Sequence, residues 1–138
     1  MKVLDTDICI EILRGNVHVI ERRRRIPDEV ATTWITACEL AYGAAKSRAP
    51  EPNQALVVEF LATLPILGLD WVAAERFGRI KTDLERAGNN LADADLLIAA
   101  ITLARGARLV TGNRRHYERI PELNIEDWIR GPDSVRPV

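Results

Sequence analysis

The chain has 138 residues, of which 47% are hydrophobic and 28% are charged, and its formal net charge is −1. This length fits one domain with a single core, and the charge lacks the basic excess of many nucleic-acid binders. No stretch approaches the roughly 20 apolar residues of a membrane span, and no signal peptide opens the chain, so we expect a cytoplasmic protein with one domain over residues 1–130 and a tail over residues 131–138.

The first predicted strand and helix meet at Asp5. The apolar pair Val3-Leu4 precedes it, and apolar residues recur at helical spacing from Thr6 onward. Thr6 and Asp7 are ordinary helix starters, because their side chains accept hydrogen bonds from free N–H groups of the first turn, and this leaves Asp5 without a structural role. A carboxylate at the carboxyl end of such a strand faces the crevice where open α/β sheets bind ligands. Asp5 is therefore the first candidate site residue.

A second helix and a second strand follow. The helix ends in four consecutive arginines, Arg22 to Arg25, which could grip phosphates but more often form a solvated face. Residues 30–34 are β-branched and aromatic, which predicts a strand, and Thr36 opens the next helix. Glu39 has the spacing of a capping box with Thr36, so it either folds back onto its own helix start or joins Asp5 at the same level of the sheet. Spacing alone leaves both interpretations open.

The middle of the chain is predicted to form core. A helix over residues 53–63, a strand over residues 65–69 and a long helix over residues 71–87, capped by Asp70, carry regularly spaced apolar residues. The next helix, up to residue 104, is apolar on nearly every face. Such a helix is buried.

Two carboxylates, Asp93 and Asp95, stand at the start of this buried helix, where charge without a partner is expensive. Asp93 is expected to be the N-cap, accepting a hydrogen bond from a backbone N–H of the first turn. Positions two apart point to nearly opposite sides of a helix. Asp95 is therefore predicted to point toward Asp5 and to join the site.

A fourth strand, residues 108–111, again ends in small polar residues. Asn113 and the basic stretch Arg114 to His116 follow it. His116 could act as a general base, but a single histidine beside two arginines is more often solvated. A short edge strand with a proline before it is predicted within residues 120–128.

Asp5, Glu39 and Asp95 all lie at one end of a predicted parallel sheet, which would bring three carboxylates into one pocket. Oxygen ligands favour Mg²⁺ or Mn²⁺, whereas no Cys or His stands at zinc spacing. A cation there would relieve the repulsion between like charges, activate water and neutralise a phosphate transition state.

Five short segments occur in an order and spacing that is specific for so short a chain. They are V-L-D-T-D-I at the start, T-x-x-E-L at 36–40, D-L-L-I-A-A at 95–100, L-V-T at 109–111, and R-I-P-E-L at 119–123 with Trp128. Together they make nearly the whole chain resemble the PIN-domain ribonucleases, and among them the VapC-type toxins of type II toxin–antitoxin pairs.

The resemblance implies a three-layer α/β domain with a small parallel sheet flanked by helices, Mg²⁺-dependent cleavage of RNA, a homodimer, and inhibition by a small antitoxin. The family's acids fall on Asp5, Glu39 and Asp95. Many relatives have Asp where this chain has Asn113, which supplies no charge, so one Mg²⁺ is expected rather than two. The residues expected to assist the site are Asp93, Asn113, Thr6 and Thr111, and those expected to contact RNA are Arg14, Arg114 and Arg115.

Two other functions fit parts of the sequence. Asp5-Thr6-Asp7 also resembles the D-x-D of haloacid-dehalogenase-type phosphatases, in which Asp5 would attack phosphorus, but the later acidic pair of that family has no convincing counterpart. A non-catalytic RNA-binding PIN module is favoured only by Asn113, and it would leave three acids without a purpose.

Overall fold

The computed structural model describes residues 1–130, and the predicted tail over residues 131–138 lies outside the described residues. The strands are β1 (Lys2–Leu4), β2 (Val30–Thr33), β3 (Ile66–Leu67), β4 (Arg108–Val110) and β5 (Ile125–Glu126). The helices are α1 (Thr6–Leu13), α2 (Val17–Arg25), α3 (Trp34–Ala45), α4 (Pro50–Leu61), α5 (Trp71–Ala87), α6 (Asp93–Ala104) and α7 (Arg114–Tyr117). The strands form one parallel sheet in the order β3-β2-β1-β4-β5, which confirms the predicted fold class.

Helices cover both faces of the sheet, as parallel sheets require. Neighbouring residues of β1 face opposite sides, so that Val3 packs in a core with residues of α5 and α6, whereas Leu4 packs in a second core with residues of α1, α3 and α4. The two cores and the sheet between them make three layers. Because every pair of neighbouring strands is parallel, the carboxyl ends of the strands lie at one edge of the sheet.

The central strand fixes which loops meet at that edge. Val3 pairs with Ala31 of β2 on one side and with Leu109 of β4 on the other. The residues that follow β1, β2 and β4 therefore lie side by side, although they are far apart in the sequence. The candidate site is built from these three chain segments and from the start of α6.

Helix α6 confirms the prediction of a buried apolar helix, since most of its length is shielded from solvent on both sides. It has 12 residues. In the part of the chain that the structure describes, no helix is long and apolar enough to cross a membrane.

The boundary between β2 and α3 differs from the prediction. The strand ends at Thr33 rather than at Trp34, and Thr33 Oγ1 accepts a hydrogen bond from the backbone N–H of Thr36 at 3.1 Å. Thr33 is thus the N-cap, and Thr36 lies inside the helix. Trp34 is 55% exposed and starts α3, because the cap formed by Thr33 places the next residue in the first turn of the helix.

Candidate active site

Asp5 follows β1 and is only 5% exposed. Its Oδ1 accepts a hydrogen bond from the backbone N–H of Thr6 at 2.8 Å, and its Oδ2 accepts one from Thr111 Oγ1 at 2.8 Å. Asp5 is therefore the N-cap of α1, a role that the sequence analysis gave to Thr6 or Asp7, and that expectation was wrong. The two bonds also hold the carboxylate at the edge of the sheet.

The environment of Asp5 favours its neutral form. Burial, followed by the charge of Asp7, raises the pKa of Asp5 from 3.8 to about 7, although hydrogen bonds from Thr111 and Thr6 act in the opposite direction. The charge of Asp95 adds to the rise. The neutral form of Asp5 therefore persists to a higher pH than that of an ordinary aspartic acid.

Glu39 reaches the same region from α3. The hydroxyl of Thr6 donates to Glu39 Oε1 and lies 3.0 Å from the hydroxyl of Thr36. Because Thr33 caps α3, Glu39 does not fold back onto its helix start, and the capping-box interpretation is wrong. Glu39 is instead tied to the residue next to Asp5.

Asp95 lies in the first turn of α6. Its Oδ1 accepts a hydrogen bond from the Tyr117 hydroxyl at 3.3 Å, and its Oδ2 lies 3.5 Å from Nδ1 of His116. His116 is half-exposed, and its Nδ1 also lies 2.8 Å from Nδ2 of Asn113. Asn113 thus contacts the imidazole of His116, which lies beside Asp95.

Asp93 is not the N-cap of α6. Ala92 occupies that position, and Asp93 is the first helical residue. Its side chain is 62% exposed and pairs with Lys81 of α5 at 3.0 Å. The predicted cap is therefore wrong. Asp93 lies one position after the N-cap, inside the helix, and its carboxylate faces Lys81 on the neighbouring helix α5. The two acids do face different partners, with Asp93 at the surface and Asp95 beside Tyr117.

Tyr117 is a site residue that the sequence analysis did not single out. Its side chain is fully buried, and burial, followed by the charges of Asp5 and Asp95, raises its pKa. The phenol is therefore a neutral hydrogen-bond donor near neutral pH. In the sequence Tyr117 directly follows the basic stretch 114–116, which indicates no more than a buried aromatic residue. The sequence does not reveal which carboxylate its hydroxyl contacts.

Asp7 links α1 to the turn after β4. Its Oδ2 accepts a hydrogen bond from the backbone N–H of Gly112 at 2.8 Å, and its Oδ1 accepts one from Ile8. A Cβ at position 112 would lie 2.6 Å from Cδ1 of Ile129 and 3.0 Å from Asp7 Oδ2, so only glycine fits without displacement. Burial raises the pKa of Asp7, and the nearby charge of Asp127 contributes further.

The donor atoms fit a hard cation. Among residues 1–130, no three His, Cys, Asp or Glu side chains lie together closely enough to hold a metal as they stand. Mg²⁺, however, keeps several waters and commonly takes only one or two carboxylates from a protein. Asp5 and Asp95 would supply such a pair, and Glu39 contacts Thr6, the residue next to Asp5. Oxygen is the only donor element among these side chains, which suits Mg²⁺ or Mn²⁺.

The predicted RNA-contacting arginines separate into two places. Arg14 directly follows α1, is largely exposed, and lines an apolar groove with Leu40 and Leu56. Arg114 and Arg115 line a different cavity next to Gly112. In the run at the end of α2, Arg22 pairs with Glu126 at 2.8 Å, and Arg23 donates to Thr63 and lies over the ring of Phe60. At least these two arginines of the run therefore serve the fold.

Comparisons with known proteins agree with this architecture. The family model of the PIN domain matches residues 2–123. The chain is 40% identical over 127 residues to the tRNA(fMet)-specific endonuclease VapC of Salmonella typhimurium. The aligned region covers 91% of this chain and 96% of the relative. DNA-bound VapBC from Salmonella typhimurium matches with a TM-score of 0.87 and 40% identity, covering 92% of this chain and 97% of that chain.

A more distant solved structure has the same fold. VapBC-5 from Mycobacterium tuberculosis, a member of the VapBC family of toxin–antitoxin systems, matches with a TM-score of 0.67 and 27% identity, covering 91% of this chain and 95% of that chain. The range matched by the family model contains Asp5, Glu39 and Asp95.

Proposed function

Since the chain belongs to the VapC ribonucleases of the PIN-domain family, and so is an endoribonuclease toxin of a toxin–antitoxin pair, we propose that it cleaves RNA with Mg²⁺ held by Asp5 and Asp95. Glu39 acts on a water bound to that ion. Mn²⁺ has the same ligand preference and would substitute. The observation that carries the proposal is the buried Asp5 carboxyl, whose pKa of about 7 reflects burial and the neighbouring acids Asp7 and Asp95. A cation at this place would remove that repulsion.

The residues around the acids have separate tasks in this mechanism. Thr111 and the Thr6 backbone fix the two oxygens of Asp5, the Thr6 hydroxyl orients Glu39, and the Tyr117 hydroxyl orients Asp95. Fixed carboxylates lose little freedom when the substrate phosphate arrives, which lowers the barrier by positioning. When bound, Mg²⁺ supplies Lewis acidity toward the phosphate oxygen and lowers the pKa of its water. Asn113 hydrogen-bonds in this region without adding charge.

A tRNA is the substrate class that we propose to test first, because the Salmonella relative is a tRNA(fMet)-specific endonuclease. The purified chain is incubated with initiator tRNA and with an elongator tRNA, in Mg²⁺, in Mn²⁺ and in EDTA, and products are resolved on denaturing gels. We expect discrete cuts in both metals and none in EDTA or with Asp95→Asn. Cleavage that persists in EDTA would overturn the metal dependence, and RNA binding without cleavage would favour the non-catalytic module.

The phosphatase interpretation of D-x-D is not supported. The chain matches a nuclease family over most of its length. In addition, both oxygens of Asp7, the second acid of the motif, accept hydrogen bonds from backbone N–H groups, those of Ile8 and Gly112, which does not suit a side chain that must act as a general acid.

We also propose a small antitoxin that binds the groove between α1, α3 and α4. This groove has a volume of about 320 Å³ and apolar walls that include Ile10, Leu40 and Leu56, and it ends at Glu39. A segment with apolar side chains and one Arg or Lys at its tip would fill the groove and pair with the acid. Gly43 lines the groove, and a side chain added there meets no atom within 4 Å. Gly43→Gln should therefore weaken antitoxin binding without changing cleavage, and equal antitoxin affinity would contradict this placement.

A homodimer is the assembly that we propose for the toxin, with its interface beside β3. Trp34 lies against Gly68, and Trp71 and Leu69 are 76% and 51% exposed at the same edge of the sheet. Large exposed apolar side chains, and tryptophans above all, are typical of an interface. Analytical ultracentrifugation should give a dimer for the parent and a monomer for Trp71→Glu. Val17→Glu, at an apolar site on α2 that is 66% exposed, is the control and should remain dimeric.

A further inference from the structure

A basic cavity lies next to the candidate active site. It has a volume of about 410 Å³ and is formed by the turn after β4, by α7 and by residue 130. Three guanidinium groups and one carboxylate line it, and these belong to Arg114, Arg115, Arg130 and Glu118. A cluster with this excess of positive charge stands out in a chain whose formal net charge is −1.

The cavity is joined to the acids through the turn after β4. Thr111 donates to Asp5, and the next residue, Gly112, donates its N–H to Asp7 and lines the cavity. If the scissile phosphate of an RNA strand lies at Asp5, a neighbouring phosphate of the same strand would therefore lie near this turn. Because the acids repel that strand, an attractive group beside them is needed to hold it.

Two of the three arginines are held at the cavity wall by contacts of their own. Nη1 of Arg130 donates to Oδ2 of the buried Asp127 at 2.7 Å and lies 3.5 Å from the carbonyl oxygen of Gly112. Nε of Arg114 lies 3.6 Å from Oε1 of Glu118. Arg115 is exposed at the rim. A guanidinium group that is already oriented loses little entropy on binding, and its planar donors match the oxygens of a phosphate.

We propose that Arg114, Arg115 and Arg130 form a subsite for a backbone phosphate of RNA that neighbours the scissile phosphate. The subsite rests on the proposed ribonuclease function and adds the residues that position the substrate. It excludes Arg14, which lines the separate groove between α1, α3 and α4. Glu118 weakens the subsite, since its carboxylate competes with phosphate for Arg114.

The test measures binding of a single-stranded RNA oligonucleotide by fluorescence anisotropy over a salt series, in an Asp95→Asn background that does not cleave. Arg114→Gln/Arg115→Gln should weaken binding by roughly tenfold and reduce the dependence of log Kd on log salt by about 1. Glu118→Gln should tighten binding. Arg105→Gln removes one positive charge from the exposed end of α6, at the opposite edge of the sheet, and should change neither quantity. Arg115→Gln alone, which also removes one charge, is compared with it directly.

A second measurement assigns the contact to one phosphate. Neutral methylphosphonates replace, one at a time, the phosphates around the cleavage site mapped with the parent enzyme. One replacement should raise KM for the parent and have no further effect on Arg115→Gln, because the contact is already lost. Arg130→Lys keeps a partner for Asp127 and tests the third arginine without the risk of unfolding.

Two failures are distinguishable. If the parent cleaves RNA but the arginine variants bind and cleave as Arg105→Gln does, the subsite is wrong and the ribonuclease stands. If the parent neither binds nor cleaves RNA, the proposed function and the subsite both fall.

Discussion

The hydroxyl of Tyr117 donates a hydrogen bond to Oδ1 of Asp95 at 3.3 Å from within the core. Burial, and then the charges of Asp5 and Asp95, raises the pKa of this phenol, so it remains a donor beside two acids. A carboxylate with a buried neutral donor on one side presents its other oxygen in a defined direction. Tyr117 is therefore a positioning residue for Asp95.

Tyr117→Phe should keep the fold and impair the site. The ring still fills its place in the core, and the loss of one hydrogen bond is expected to cost about 1 kcal/mol, or roughly fivefold in metal affinity and in cleavage rate. Calorimetric titration of the RNA-free protein with Mn²⁺, together with single-turnover cleavage, checks both. Tyr42→Phe, which removes a hydroxyl from an exposed tyrosine, is the control. Unchanged Mn²⁺ affinity in Tyr117→Phe would show that the phenol only fills space.

Asp5→Asn should stabilise the metal-free protein while abolishing cleavage. The folded-state pKa of Asp5, about 7, lies above its ordinary 3.8, because burial and then the charge of Asp7 disfavour the carboxylate. The folded state therefore holds the proton more tightly, and Asp5 opposes folding increasingly as the pH rises from about 4 to 7, by up to about 1.4 kcal/mol per pH unit. In EDTA the variant should melt above the parent at pH 8, with a smaller difference at pH 5.

Mg²⁺ should reverse the order of the two melting temperatures. The parent binds the cation in its folded state and gains stability by mass action, whereas Asp5→Asn has lost a ligand. Thermal melts at pH 8 with and without Mg²⁺ measure this directly. If Mg²⁺ does not change the melting temperature of the parent, Asp5 is not a metal ligand. The same conclusion would follow if the Asp5→Asn variant melted below the parent in EDTA.

Local patterns in the sequence were sufficient for the type of several elements. The apolar residues of α6 predict a buried helix and the short apolar runs of β1 and β4 predict strands, whereas the three-layer arrangement around a parallel sheet was implied by the resemblance to PIN-domain ribonucleases. The wrong predictions concern the ends of helices and strands, where a single hydrogen bond can determine which residue begins or ends the element. At β2 the aromatic Trp34 favours a longer strand, but the cap formed by Thr33 ends it.

The sequence analysis proposed the three acids of the candidate site, but it did not identify the residues that hydrogen-bond to the acids. Asp5, Glu39 and Asp95 follow or open regular elements, so topology alone brings them to one edge of the sheet. The contacts of Asp7 with Gly112 and of Asp95 with Tyr117 join residues that are 105 and 22 positions apart. Such pairs depend on side-chain geometry in the folded state, for which a single sequence has no periodic signal.

Asp93→Ser and Asp95→Asn should give unequal results. Asp93 is exposed and pairs with Lys81 at the surface, where water screens the interaction, so its replacement should leave stability and cleavage nearly unchanged. Asp95→Asn removes a charge beside Asp5 and should weaken Mn²⁺ binding and abolish cleavage. Cleavage assays and calorimetry on both variants decide this. An inactive Asp93→Ser beside an active Asp95→Asn would mean that the third acid of the site is Asp93.

Glu126 joins three elements, because its carboxylate accepts hydrogen bonds from Lys2 of β1, from Arg22 of α2 at 2.8 Å and from the Trp128 indole at 3.1 Å. Burial alone would raise its pKa, but these donors, with Lys2 foremost, lower it below 4.5. A lowered pKa means that Glu126 stabilises the fold above pH 4.5 and that this contribution disappears as the pH falls through the folded-state pKa.

Glu126→Gln should therefore lower the free energy of unfolding at pH 7 by roughly 2 kcal/mol, since two cations lose a partly buried charged acceptor. The difference from the parent should shrink toward pH 3, where the parent's own carboxylate is protonated. Urea unfolding at both pH values provides the measurement, with Glu122→Gln as a control at an exposed position. A difference that stays constant between pH 7 and pH 3 would show that the shape of the side chain, rather than its charge, holds β5 against β1 and α2.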